Sequence, residues 1–116
     1  MQAWIVENLR LLSGGTMAIC AIPKTVEETL GVSSDDMDNI SNFPRTVAGV
    51  NIAATIREAE KGKVKLSVRA VPGYDATVIA ERFGGGGHKG AAGGTMEMTL
   101  SQAVSAVEEV MLETCP

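Results

Sequence analysis

The chain has 116 residues, 45% of them hydrophobic and 3% aromatic, with a formal net charge of −4. That length suits a single domain whose core is built from Val, Ile, Leu, Ala and Met. The acidic balance excludes a global basic field that would draw in long nucleic acid, so any contact with nucleotide phosphate must be local. No apolar run reaches the ~18 residues of a transmembrane helix. Glu7 and Arg10 interrupt the first apolar stretch, which argues against a signal peptide. Cys20 and Cys115 are far apart and form no metal-ligand spacing. They read as thiols of a reducing cytoplasm, with a disulfide left open.

Along the chain, residues 2–12 place Ile5, Leu9 and Leu12 on one face, with Trp4 and Leu11 beside it. That spacing predicts a helix stopped by Ser13-Gly14-Gly15. So apolar a face implies a partner surface. Thr16 to Ile22 reads as a buried strand ended by Pro23. Thr25 with Glu28 forms a capping-box pattern for a short helix through Leu30. Ser33-Ser34-Asp35-Asp36 opens another predicted helix, running to about Asn42. A calcium loop needs a central Gly and a terminal Glu that are missing here, so capping is preferred to metal binding, with solvated loop charges as the alternative.

Residues 50–57 and 63–70 alternate in polarity and predict an antiparallel hairpin. Val64, Leu66, Val68 and Ala70 take one face; Lys63, Lys65, Ser67 and Arg69 take the other. The side-chain period of two puts Ser67 and Arg69 on the same side. An arginine fork suits phosphate, although spacing alone slightly favours a solvated face shared with Arg57, Lys63 and Lys65. After the Pro72-Gly73 turn, Asp75 caps a helix with Ala76, Ile79, Ala80 and Phe83 inward, ending at Gly84. Residues 94–98 predict a short strand. Thr99 and Gln102 then form a capping box for the last helix, whose apolar stripe is Leu100, Ala103, Val104, Val107, Val110 and Met111. The order is α-β-α-α-β-β-α-loop-β-α, an α/β fold with a mixed sheet and flanking helices.

The informative stretch is Phe83 to Gly94, with seven of the thirteen glycines and the single histidine. Glycines leave backbone N–H groups open to close approach, and successive N–H groups can form an anion-binding concavity. This reads as a phosphate cradle of Gly84, Gly85, Gly86 and Gly87, with His88 and Lys89 at its mouth. A flexible loop with a surface histidine is the plain alternative. Gly85, Gly87 and Gly90 match G-x-G-x-x-G, but no strand precedes them. Lys89 is followed by Gly90 and Ala91, so this is no P-loop.

Gly85-Gly86-Gly87-His88 followed by Ala91-Ala92-Gly93, with Ser67-x-Arg69 and the Asp75 helix upstream, resembles the DHHA1 domain of the DHH phosphoesterase superfamily. The likeness is nearest to its oligoribonuclease and pAp-phosphatase (NrnA-like) members. It is specific over residues 63–94 and rests on general layout before residue 49. The resemblance implies a DHHA1-like substrate-binding domain at 16–116, with residues 1–15 as a helix connecting to an upstream DHH catalytic domain. It implies that His88 and the glycine backbone bind substrate phosphate and that His88 assists catalysis. It implies phosphate binding by Arg69, with Lys89 a weaker candidate. Two divalent metals, usually Mn2+, belong to the DHH domain; this chain has one His and no Asp-His-His, so no metal site is expected in it and the chain alone is expected to be inactive. The implied substrates are short RNA or pAp-type nucleotides in the cytoplasm, with no membrane contact. RecJ-like single-strand exonucleases and cyclic-dinucleotide phosphodiesterases are alternatives within the superfamily. A stand-alone nucleotide-binding or regulatory module is the alternative outside it, and a homodimer is left open.

Overall fold

In a computed structural model, the structure describes residues 10–12, 15–25 and 49–114. Residues 2–9 of the helix expected at 2–12, residues 26–30 of the short helix expected after Thr25, the helix expected at 33–42, and Cys115 lie outside these residues. The described elements, in order, are β1 (Arg10–Leu12), β2 (Met17–Ile22), β3 (Ile52–Glu60), β4 (Lys63–Ala70), α1 (Ala76–Glu81), β5 (Gly86–His88), β6 (Ala91–Met96) and α2 (Leu100–Thr114). The strands form one mixed sheet in the order β1-β2-β3-β4-β6-β5. β2 runs parallel to β3, and the other neighbours pair antiparallel.

The predicted hairpin is β3–β4, with Ile52 opposite Ala70 and Ile56 opposite Leu66. β4 is buried at Val64, Leu66, Val68 and Ala70 and more open at the residues between. This is the alternation its sequence shows. β3 differs, because Ile52 to Ile56 are buried on both faces. It is a central strand between β2 and β4, and Ala53 and Thr55 are covered on the side away from the helices. A strand's own pattern cannot report what covers its second face.

Both helices pack on the face that carries Met17, Ile19, Ile56, Leu66 and Val68. Ile79 and Ala80 of α1 and Val107 and Met111 of α2 are fully buried against it. Each large aliphatic side chain so buried contributes about 1.5–3 kcal/mol. α2 begins with the expected capping box: Thr99 Oγ1 accepts from Gln102 N–H at 3.2 Å, and Gln102 Oε1 accepts from Thr99 N–H at 3.1 Å. No helix among the described residues is long and apolar enough to cross a membrane.

Two expectations need correction. Residues 10–12, predicted as the end of a helix, form β1, with Arg10 opposite Ile19 and Leu12 opposite Met17. Pairing with the exposed edge of β2 outweighs the helical spacing of Ile5, Leu9 and Leu12, since tertiary contacts override local pattern. The glycine run, predicted as a loop before a strand at 94–98, is instead the hairpin β5–β6, and its second strand ends at Met96. Glycine has no strand preference of its own, so local composition could not indicate this.

Candidate functional site

The sheet has one face under the helices and one face away from them. On the second face, register fixes which side chains are neighbours, because residues directly opposite in a ladder project to the same side. Arg69 of β4 is opposite Ala91 of β6, and Ala91 is opposite His88 of β5. The three form one row across the sheet. Arg69 and His88 are separated by two strand spacings, about 10 Å between backbones. The next row is Ser67, Gly93 and Gly86. Between the two long polar side chains lie only Ala91 and Gly93, so the floor is low. Ala91, Ala92 and Gly93 alternate between the two faces of β6. Only Ala92 is buried toward the helices; Ala91 is exposed and Gly93 half-exposed on the open face.

Arg69 is half-buried, and its Nη1 donates to the Val68 carbonyl at 3.3 Å. That uses one of five guanidinium donors. His88 is exposed at the end of the edge strand.

The glycines divide by what each does. Gly84 has φ +78 and donates to Glu81 O at 3.2 Å, while Gly85 donates to Ala80 O at 2.9 Å. This double bond pattern with a left-handed residue is the glycine cap of α1. The N–H groups of Gly84 and Gly85 are therefore spent on the helix and do not face an anion. A Cβ on Gly85 would fall 2.2 Å from Gly93 O, and one on Gly93 would fall 2.3 Å from Leu66 O. A Cβ on Gly87 would fall 2.6 Å from Ala91 O. These three are glycine because backbones pack against them. Gly86 is different: no atom lies within 4 Å of a Cβ built there, and its φ is not left-handed. The fold itself gives no reason for its missing side chain. β5 is an edge strand, so alternate backbone groups of Gly86–His88 point away from β6 toward solvent.

The β5–β6 turn is fastened in place. Lys89 O accepts from Ala76 N–H at 2.7 Å, and Gly90 O accepts from Ala70 N–H at 3.0 Å. Asp75 caps α1 by accepting from Thr77 N–H at 2.9 Å and from the Thr77 hydroxyl. The Thr77 hydroxyl bond holds the Asp75 carboxyl below the ordinary aspartate range; burial opposes it as the next-largest effect, and the Thr77 backbone bond and the Lys89 charge add lesser help. The Lys89 charge thus acts on Asp75 at the start of α1.

Cys20 is a buried free thiol whose pKa is pushed up to about 11 by burial, so it is not a nucleophile in the folded chain. No three His, Cys, Asp or Glu side chains cluster among the described residues. These residues do not fit a two-metal centre.

The structure is thus an α/β domain with helices on one sheet face and, on the other, an arginine and a histidine flanking a floor of small residues. The chain belongs to the DHHA1 domain family, whose model matches residues 15–113. It is 36% identical over 114 residues to the bifunctional oligoribonuclease and PAP phosphatase NrnA of Thermus thermophilus, covering 97% of this chain and 33% of that protein. Among solved structures it is similar to an exopolyphosphatase-related protein from Bacteroides fragilis, with a TM-score of 0.86 at 23% identity over 97% of this chain and 33% of the other. It is also similar to the pGpG-specific phosphodiesterase PggH from Vibrio cholerae, with a TM-score of 0.64 at 15% identity over 97% of this chain and 36% of the other. The chain spans about a third of the length of these proteins.

Proposed function

We propose that this chain is the substrate-binding part of a DHH-type phosphoesterase that hydrolyses short oligoribonucleotides or pAp-type nucleotides. The observation that carries this reading is the row Arg69, Ala91, His88 on the open sheet face. A phosphate group fits above Ala91 and Gly93, with the guanidinium on one side and the imidazole on the other. Arg69 supplies a fixed charge and a two-pronged donor. His88 donates a hydrogen bond to a phosphate oxygen and helps to stabilise charge as the phosphoryl group reacts. The open backbone at Gly86 lets a ligand approach the sheet edge. Hydrolysis itself falls to a DHH catalytic domain with two divalent metal ions, manganese by family resemblance, which activate water there. Similarity to a protein named as an oligoribonuclease and PAP phosphatase supports the substrate class. The free thiol of Cys20 accords with a reducing, cytoplasmic setting.

Titration of the isotope-labelled 116-residue chain with pAp and with a dinucleotide, without metal, tests the phosphate site. Amide shifts centred on Arg69 and on Gly86 to Gly90 are expected at millimolar ligand. Shifts confined to residues remote from that row, or none at all, would overturn the assignment.

A further inference from the structure

Four aromatic residues occur in the chain, and two of them, Tyr74 and Phe83, lie among the described residues. Phe83 packs against the core. Tyr74 does not: 38% of it is exposed. It follows the Pro72-Gly73 turn, closed by Tyr74 N–H donating to Val71 O at 3.1 Å. Its hydroxyl accepts from Asn51 Nδ2 at 3.2 Å, across 23 residues of chain. Asn51 is itself anchored on both sides, since its N–H donates to Thr16 O at 2.7 Å and its carbonyl accepts from Val71 N–H at 2.9 Å. These bonds continue the β3–β4 register by one pair beyond Ile52 and Ala70. Asn51 therefore stands on the same face as Ala53, whose partner is Arg69. Asn51 is a diagonal neighbour of Arg69, within about 7–8 Å on the sheet surface. The Lys89–Gly90 turn, which follows His88, is bonded to Ala76 and Ala70 at this same end of the sheet.

Resting on the phosphate reading above, we propose that Tyr74, held by Asn51, is the platform on which the base of the bound nucleotide stacks. Every base has a π face, so such a platform accepts any base, and a planar ring tied down at both ends loses little freedom on binding. Tyr74 is the exposed aromatic ring among the described residues. It is a platform for one base rather than a track for many. This gives the site a preference for a nucleotide over a bare phosphate or sugar phosphate, without selecting among bases.

Binding of adenosine 5′-monophosphate and of ribose 5-phosphate to the 116-residue chain, followed by NMR, separates base from phosphate. The nucleotide is expected to bind roughly fivefold to a hundredfold more tightly than the sugar phosphate. Tyr74→Leu is expected to remove that difference while leaving ribose 5-phosphate binding unchanged, and Tyr74→Phe to keep most of it. Equal binding of the two ligands by the unaltered chain overturns the platform and leaves the phosphate site standing. Equal loss of both ligands in Tyr74→Leu, with a dispersed spectrum, also overturns it, because the ring would then be structural. Binding of neither ligand overturns the platform together with the phosphate reading.

Discussion

Arg69 and His88 share a neighbour: each stands opposite Ala91, one on β4 and the other on β5. Nineteen positions separate them in sequence, yet they flank one methyl group. Substituting them separately distinguishes binding from chemistry. In the protein where this chain is joined to a DHH catalytic domain, Arg69→Ala is expected to raise KM on a dinucleotide with little change in kcat. Arg69→Lys should restore only part of it, because a point charge lacks the two-pronged geometry. His88→Ala should lower kcat by about a hundredfold, the scale of losing one donor to developing charge. An unchanged kcat would remove His88 from the mechanism.

The glycines offer a sharper comparison. Gly93→Ala drives a methyl group into the Leu66 carbonyl, and backbone cannot step aside as a flexible side chain can. We expect destabilisation at or above the ~1–3 kcal/mol of ordinary overpacking. Gly86→Ala meets open space and should stay within about 0.5 kcal/mol of the unaltered chain. It should nevertheless weaken phosphate binding. Chemical denaturation and titration of the same two variants read both quantities. If Gly86→Ala binds normally, the edge of β5 is not where the ligand approaches.

Asp75 links the site to pH. Its folded-state pKa is depressed, chiefly by the Thr77 hydroxyl bond. A depressed carboxyl contributes stability that is present above its unfolded pKa and is lost as pH falls through the folded value. Stability should therefore decline as pH drops below the ordinary aspartate range. Asp75→Ala, already lacking the cap, should decline less over that interval. Parallel pH profiles of the two proteins would sink the assignment of that loss to Asp75.

Cys20 should resist alkylation while the chain is folded. With a pKa pushed up to about 11 and no exposed surface, it offers almost no thiolate near pH 8. Peptide mapping after iodoacetamide treatment should find Cys20 modified only when denaturant is present. Modification at the same rate in native buffer would mean that β2 is not covered on the side away from the helices.

Much of this was legible in the chain itself. The two-residue period of 63–70, the Asp75 and Thr99 caps and the stripe of α2 are local patterns, and local hydrogen bonds satisfy them. Gly84 was legible as a helix stop because only a left-handed residue completes that cap. The hairpin within the glycine run was not. Gly93 is glycine because of Leu66, and Gly85 because of Gly93, and neither reason is present in the run's own composition. β1 was misread because three residues at helical spacing say nothing about the free edge of β2 that claims them. Tyr74 carries no signal in sequence, since its partner Asn51 lies 23 residues away.

The fastening of the Lys89–Gly90 turn to Ala76 and Ala70 has a thermodynamic consequence. A glycine-rich segment surrenders more backbone entropy on ordering than any other composition. Where such a segment orders only around its ligand, that loss is subtracted from affinity. Here two carbonyls are already taken and the three residue pairs of β5–β6 are already formed, so the loss falls on folding of the domain. A ligand arriving at His88 meets a stiff surface, and its association should carry little of the unfavourable entropy that so many glycines would otherwise impose.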